Sequence, residues 1–286
     1  MPAFSINPQA NPPALARGRR INFVRSFMFK LMRTAGWLLI ILFLPLVIFA
    51  QDQAWQVVKS THFNIFYKNA PEDELNELIQ KAEECYDSIA YELGFNRFNF
   101  WTWDNRAKIY LFDNQQDYKK ATQSFNWSAG QVMVSGKLIQ SYVGAPGFLQ
   151  NVLSHELAHI IFMEMVGFNN PAVPLWLQEG VATYQEKDIY SIRGDLADKI
   201  RQGNYLDLNA LGRFQIKGSG EEKVGLFYME SYSLVNYLIA GFGKEAFVTF
   251  CQNLRDSRNL MLALTRTYSF KNLNDFQESW KKYILK

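Results

Sequence analysis

Apolar and polar residues alternate with two periods along this chain, and the helical period dominates after Val166. Upstream, Trp55–Tyr67, Lys108–Phe112 and Gln131–Val143 have the spacing of extended strands, while Pro71–Leu93 repeats its apolar residues at helical spacing. Downstream, helical spacing recurs near residues 174–187, 189–202, 226–241, 244–255, 257–267 and 273–284. The pattern predicts an α+β fold, with a mixed sheet-and-helix lobe over 51–166 and a mostly helical lobe over 167–286.

One predicted helix is apolar on nearly every face. It follows the turn at 144–147 and continues to about Met165, which is typical of a buried helix. Three polar residues nevertheless interrupt it, namely His155, Glu156 and His159. Unpaired polar groups in such a place would cost several kcal/mol, so a bound cation is the expected partner.

The interruption has the form H-E-x-x-H, and it uses two of the three histidines in the 286 residues. Positions i and i+4 share a helix face, so His155 and His159 can reach one metal ion, and Glu156 can take a proton from a water on that ion. A helix with two satisfied histidines and a solvated glutamate is the alternative. A random chain of this composition would contain the motif with a probability on the order of 10⁻³.

Hydrolytic zinc sites use three protein ligands and leave a position for water, so a third donor is needed. We predict Glu179, which lies 20 positions after His159 among apolar residues, where a second helix can pack against the first. His62 is predicted to be an ordinary strand histidine. Cys85 and Cys251 lack C-x-x-C spacing, which argues against a cysteine site.

His155-Glu156-Leu157-Ala158-His159 followed by Trp176-Leu177-Gln178-Glu179-Gly180-Val181-Ala182 resembles the gluzincin zinc metallopeptidases. From about Trp55 to the C-terminus, the chain looks most like the bacterial peptidase MA-like domain, with 227–231 opening a later helix. The resemblance implies a zincin-like fold with the active-site helix in the N-terminal lobe and the cleft between the lobes. It also implies that the strand before this helix borders the cleft and pairs with an extended substrate.

The resemblance further implies a role for each site residue. His155, His159 and Glu179 would bind one Zn²⁺, and Glu156 would be the general base. A tyrosine would hold the oxyanion, with Tyr228 as the first candidate and Tyr232 as the second. In thermolysin-type members, an aspartate four residues after the glutamate ligand orients a zinc-binding histidine. Thr183 stands there in this chain, and its hydroxyl adds less basicity than a carboxylate.

Residues 1–50 are predicted to be a basic N-terminus followed by a signal peptide or membrane anchor. They contain six basic and no acidic residues, and they end in a mostly apolar stretch, Trp37–Ala50, which is short for a membrane span. We expect cleavage after Ala50 and export to the periplasm or the exterior. A start at Met28 would give this signal a conventional length. The alternative is an uncleaved anchor from about Thr34, which would attach the protein to the membrane.

The net charge of +3 comes from this segment, because residues 51–286 carry a net charge of −3. Without a basic stripe interleaved with aromatic residues, nucleic-acid binding is not expected. The predicted partner is a peptide or protein substrate. In an oxidising compartment Cys85 and Cys251 could pair.

The function predicted for residues 51–286 is therefore that of an exported zinc metallopeptidase. The upstream G-x-M-E-N motif of aminopeptidase relatives is absent, which favours an endopeptidase. Two other interpretations stay open, an inactive zincin-fold envelope protein that binds peptides or a protein partner, and a membrane-anchored scaffold.

Overall fold

A mixed β-sheet and one buried helix form the N-terminal part of the protein. The computed structural model describes residues 54–95, 101–123, 128–186 and 192–286, which belong to one compact unit, Gln51–Lys286. In chain order this part contains β1 (Gln56–Lys59), β2 (Phe63–Tyr67), α1 (Glu72–Glu92), β3 (Ala107–Phe112), α2 (Gln115–Thr122), β4 (Gly130–Met133), β5 (Leu138–Tyr142) and α3 (Leu153–Val166).

Seven further helices in the described residues form the C-terminal part. They are α4 (Leu175–Tyr184), α5 (Ile192–Arg201), α6 (Leu208–Gly212), α7 (Glu221–Phe242), α8 (Lys244–Ser257), α9 (Leu260–Tyr268) and α10 (Leu273–Leu285). The predicted helical lobe is confirmed. The short α6 was not predicted, and α7 begins five residues earlier than predicted, because its first turn is charged and exposed and so carries no apolar signal.

The sheet has the strand order β1-β2-β3-β5-β4. Strands β2, β3 and β5 run parallel, while β1 and β4 pair antiparallel at the two edges. Strand β4 therefore has β5 as its one strand neighbour within the described part of the chain. Its other edge offers backbone groups to a further strand.

The prediction of one extended segment over Gln131–Val143 was wrong. The chain forms a hairpin in which Val132 pairs with Ile139 and Met133 with Leu138, and a 3₁₀ turn at Val134–Gly136 joins the arms. Lys137 closes this turn with a φ of 47°. Even spacing of apolar residues holds within each arm, so it did not reveal the reversal.

Helix α3 is buried on almost all sides, as predicted. It packs against α1, α4, α8 and β4. Of its 14 residues, only His155, Glu156 and Glu164 are not fully buried. Cys85 in α1 and Cys251 in α8 are both buried, and no disulfide joins them.

Helices α4 and α7 approach closely at Gly180. A Cβ atom added there would lie 2.3 Å from the carbonyl oxygen of Ser231 and 2.8 Å from a methyl group of Val235. No side chain fits at that distance, and a backbone carbonyl cannot rotate away. The glycine thus sets the spacing of the two helices that carry Glu179 and Tyr228.

Replacing Gly180 by Ala is expected to lower the free energy of unfolding by about 3 kcal/mol, because the methyl group must force α4 and α7 apart. The control is Gly225→Ala in α7, where an added Cβ meets nothing within 4 Å. That change should raise stability by about 0.5–1 kcal/mol through helix propensity. Urea unfolding followed by circular dichroism measures both, and equal stability of the two variants would contradict the close approach.

No helix among residues 54–95, 101–123, 128–186 and 192–286 is long and apolar enough to cross a bilayer. The predicted signal or anchor, Trp37–Ala50, and the alternative starts lie outside the described residues. They remain predictions.

Candidate metal centre

His155 and His159 converge from adjacent turns of α3. Their Nε2 atoms are 3.2 Å apart. Both side chains are mostly buried, with 18% and 11% of their surface exposed. The i, i+4 geometry of the helix, together with its burial, therefore holds two imidazole nitrogens at one point.

Glu179 brings a carboxylate oxygen to the same point from α4. Its Oε2 lies 3.6 Å from Nε2 of His155 and 3.7 Å from Nε2 of His159, and the side chain is 13% exposed. These three side chains are a group of donors, among the described residues, whose ligand atoms lie within 4.8 Å of one another.

The spacing of these donors fits a zinc ion. A point equidistant from three atoms separated by 3.2, 3.6 and 3.7 Å lies about 2 Å from each, the length of a zinc bond to nitrogen or oxygen. Two imidazoles and one carboxylate are also a ligand set that leaves a fourth position for water. The predicted ligands are thus brought together in a geometry that suits the predicted metal.

Buried charge around this point favours a cation. Burial, and then the charge of His155, lowers the pKa of His159 to about 4, so this imidazole is neutral and keeps a lone pair for a metal. Burial also disfavours a charged His155, but hydrogen bonds with Glu179 and Glu186 outweigh it and raise its pKa to about 10. A proton on His155 therefore offsets the carboxylate charge, and a metal cation at this point would take its place.

Glu186 orients His155, a contact that the sequence did not predict. The Nδ1–H of His155 donates to Oε1 of Glu186 over 2.6 Å. Thr183, the residue at the predicted orienting position, has a buried hydroxyl with no hydrogen-bond partner among the described residues. Glu186 follows the end of α4, so no helical spacing pointed to it. The expectation that the Thr183 hydroxyl stands in the orienting position is corrected, because the Glu186 carboxylate supports His155 instead.

Replacing Glu186 by Gln is expected to weaken metal binding by about 10- to 100-fold, because the amide keeps the shape but loses the negative charge that makes His155 a better ligand. Thr183→Val is the matched control, because Thr183 is the other candidate for orienting His155 and this change removes its hydroxyl at nearly constant volume. Competition with a fluorescent zinc chelator measures both affinities. A larger loss of zinc affinity in Thr183→Val than in Glu186→Gln would show that Thr183, and not Glu186, supports His155.

Glu156 lies beside the metal point and lines the same cavity. Burial, together with the nearby charge of Glu179, raises its pKa to about 7, although His155 acts in the opposite direction. A carboxyl group with that pKa can both take up and release a proton near neutral pH. The cavity has a volume of about 500 Å³, and Gly130, Gln131 and Val132 of β4 form one wall.

Tyr228 lines this cavity, and its hydroxyl donates a hydrogen bond to Glu179. Burial, followed by the charge of Glu179, raises the pKa of Tyr228, so the phenol stays protonated and remains a donor. Tyr232, one turn further along α7, stacks on Tyr184 with ring centroids 6.1 Å apart. The structure therefore places the first tyrosine candidate, and not the second, at the metal point.

His62 lies elsewhere, as expected for a strand histidine. Its Nδ1 is 2.6 Å from Oε2 of Glu83, and its ring stacks on Tyr86 with centroids 3.9 Å apart.

The family model described as the Peptidase MA superfamily matches residues 103–286, which is more than half of the chain and includes every residue of the metal centre. The chain belongs to the Peptidase MA superfamily. The predicted family and the predicted zincin-like α+β fold are both confirmed. The match begins just before β3, so β1, β2 and α1 of this Peptidase MA protein lie outside it.

Solved structures similar to this Peptidase MA chain include the crystal structure of an M1 zinc metallopeptidase from Deinococcus radiodurans. The two share 15% sequence identity with a TM-score of 0.45, over 79% of this chain and 51% of the other. The chain thus spans about half the length of that protein. Among curated protein sequences there is no significant match.

Proposed function

We propose that this protein is a zinc-dependent endopeptidase in which Glu156 is the general base. The observation that carries the proposal is the convergence of His155, His159 and Glu179 on one point, with the raised-pKa carboxyl of Glu156 in the same cavity. Membership of a peptidase superfamily supports it.

A zinc ion held by these three residues would supply a Lewis acid that polarises the peptide carbonyl and lowers the pKa of water from 15.7 to about 7. Glu156 removes the proton from the attacking water and then delivers it to the leaving amine. Tyr228, whose O–H donates to Glu179 in the resting site, turns this hydrogen bond to the oxygen that becomes negative. Glu186 keeps the His155 ring in the tautomer whose Nε2 faces the metal point.

The edge of β4 that pairs with no strand among the described residues is the proposed binding edge for the substrate backbone. An extended peptide added there would have its carbonyl groups next to the cavity wall formed by Gly130–Val132. Backbone pairing of this kind makes few demands on the substrate sequence.

The carboxylates among the described residues of the cavity support endopeptidase action. An aminopeptidase needs an anion for the substrate's α-amino group. Among the described residues that line the cavity, the carboxylates are Glu156 and Glu179, and both already have roles in the proposed mechanism.

The test is digestion of a denatured protein mixture by the purified 51–286 unit. We expect internal cleavage that a chelator abolishes and that one equivalent of Zn²⁺ restores, with the metal content rising from zero to one per chain. Release of single N-terminal residues would contradict the endopeptidase assignment. One bound zinc without any cleavage would instead favour a peptide-binding protein that has lost turnover.

We also propose export, which rests on the basic and apolar N-terminal segment alone. N-terminal sequencing of the protein recovered from its host is the measurement. A mature chain that begins near Gln51 is expected, and recovery of Met1 from the folded protein would contradict cleavage.

A further inference from the structure

A second cavity, of about 410 Å³, lies next to the metal centre. We call it the Met163 pocket. Its walls come from the hairpin turn at Val134 and Ser135, from Met163 in α3, from the loop at 168–171, and from Gln178 in α4. All of these residues are described, and none has a role in the proposed mechanism.

The hairpin, α3 and α4 line both cavities with residues that lie close together in sequence. The hairpin contributes Gly130–Val132 to the metal cavity and then Val134 and Ser135 to the Met163 pocket. Helix α3 contributes His159 and then Met163, which is four residues further on the same face. Helix α4 contributes Glu179 and the preceding Gln178. The Met163 pocket is therefore bordered by the same hairpin and helices as the metal cavity, beyond the end of β4.

The distance between the two cavities corresponds to one or two residues of an extended peptide. One turn of α3 advances about 5.4 Å, and a strand advances about 3.3 Å per residue. A peptide along β4 with its cleaved carbonyl at the metal point would place a side chain from one of the two adjacent residues in the Met163 pocket.

The lining of the Met163 pocket is uncharged and would disfavour a charged substrate side chain. None of the eight described residues that line the Met163 pocket carries a formal charge, and Val134, Met163, Phe168 and Pro171 are apolar. Two of the three amide side chains in the lining are held by hydrogen bonds to the backbone. Asn170 donates to the carbonyl oxygens of Val166 and Leu254, and Gln178 donates to that of Val173.

An ion pair holds the hairpin turn that contributes to the pocket. Lys137, which closes the hairpin turn, lies 2.5 Å from Oε1 of Glu164 in α3, and the indole N–H of Trp101 donates to the other oxygen over 2.5 Å. The turn that carries Val134 and Ser135 is thereby held against the zinc-binding helix, so the pocket is formed before a substrate arrives.

We propose that the Met163 pocket is a specificity subsite that accepts a large uncharged side chain of the substrate, within two residues of the cleaved bond. The inference rests on the proposed peptidase function. Antiparallel pairing with β4 would put this residue before the cleaved bond, and parallel pairing would put it after.

The experiment is cleavage-site profiling on a proteome-derived peptide library. Ser135 is exposed at the rim, so Ser135→Glu and Ser135→Lys change the charge of the pocket without disturbing the core. The wild-type protein should disfavour Asp, Glu, Lys and Arg at one position. Ser135→Glu should raise the frequency of Lys and Arg there by about fivefold, and Ser135→Lys should do the same for Asp and Glu.

The matched controls are Ser88→Glu and Ser88→Lys, at an exposed serine of α1 outside both cavities, and they should leave the profile unchanged. Changes below about twofold at every position in the Ser135 variants, with cleavage retained, would overturn the subsite alone. Absence of cleavage by the wild-type protein with zinc bound would overturn the peptidase function, and the subsite with it.

Discussion

Replacing Glu156 by Gln is expected to lower peptide hydrolysis by about a thousandfold and to leave one zinc per chain in place. The amide has nearly the shape of the carboxyl group but cannot take a proton from water or return it to the leaving amine. Glu156 is not among the three convergent donors, so the metal should stay. Zinc content and the initial rate of casein digestion, measured on the same preparation, test both parts.

Glu222→Gln is the control for this prediction, because Glu222 is exposed in the first turn of α7 and lines neither cavity. It should retain full activity. Turnover within tenfold of the wild-type rate in Glu156→Gln would remove Glu156 from the role of general base. Loss of zinc in that variant would mean that Glu156 contributes to the metal site itself.

Replacing His155 by Ala is expected to weaken zinc binding by roughly a thousandfold. A fully liganded zinc site has an apparent binding free energy on the order of 12 kcal/mol, so one of three donors corresponds to about 4 kcal/mol. The protein should then lose its metal during dialysis and show no chelator-sensitive hydrolysis. Elemental analysis after dialysis against metal-free buffer is the measurement.

The third histidine of the chain supplies the control. His62 is bonded to Glu83 and stacked on Tyr86, away from the metal centre, so His62→Ala should keep one zinc per chain even if it lowers stability. Full zinc content in His155→Ala would place the metal elsewhere. Loss of zinc in a folded His62→Ala protein would mean that His62 also binds the metal.

Helical periodicity made much of the active-site helix predictable. The i, i+4 spacing of His155 and His159 is a local property, and the apolar residues around them already required a buried helix. Glu179 was predictable because a carboxylate in an apolar helix needs a partner. The choice between Tyr228 and Tyr232 was not, because both lie on α7, and only the packing of α7 on α4 selects the one that reaches Glu179.

The features that the sequence did not predict all depend on contacts between residues far apart in the chain or on how the chain reverses. Glu186 contacts His155 across 31 positions after a helix has ended, and no periodicity carries that information. Strand β4 becomes an edge strand only because the chain reverses at Lys137. Gly180 is required by the carbonyl group of Ser231, which is 51 residues away.

The sequence by itself determined the helix that presents two histidines and a glutamate, the identity of the third convergent donor, and the division into a mixed and a helical lobe. Each of these follows from the spacing of residues along one element. The tertiary structure alone decided which carboxylate supports His155, which tyrosine faces the metal point, and where the Met163 pocket lies. These depend on how separate helices and a hairpin pack, which is set by the close approach at Gly180 and by the Lys137–Glu164 ion pair.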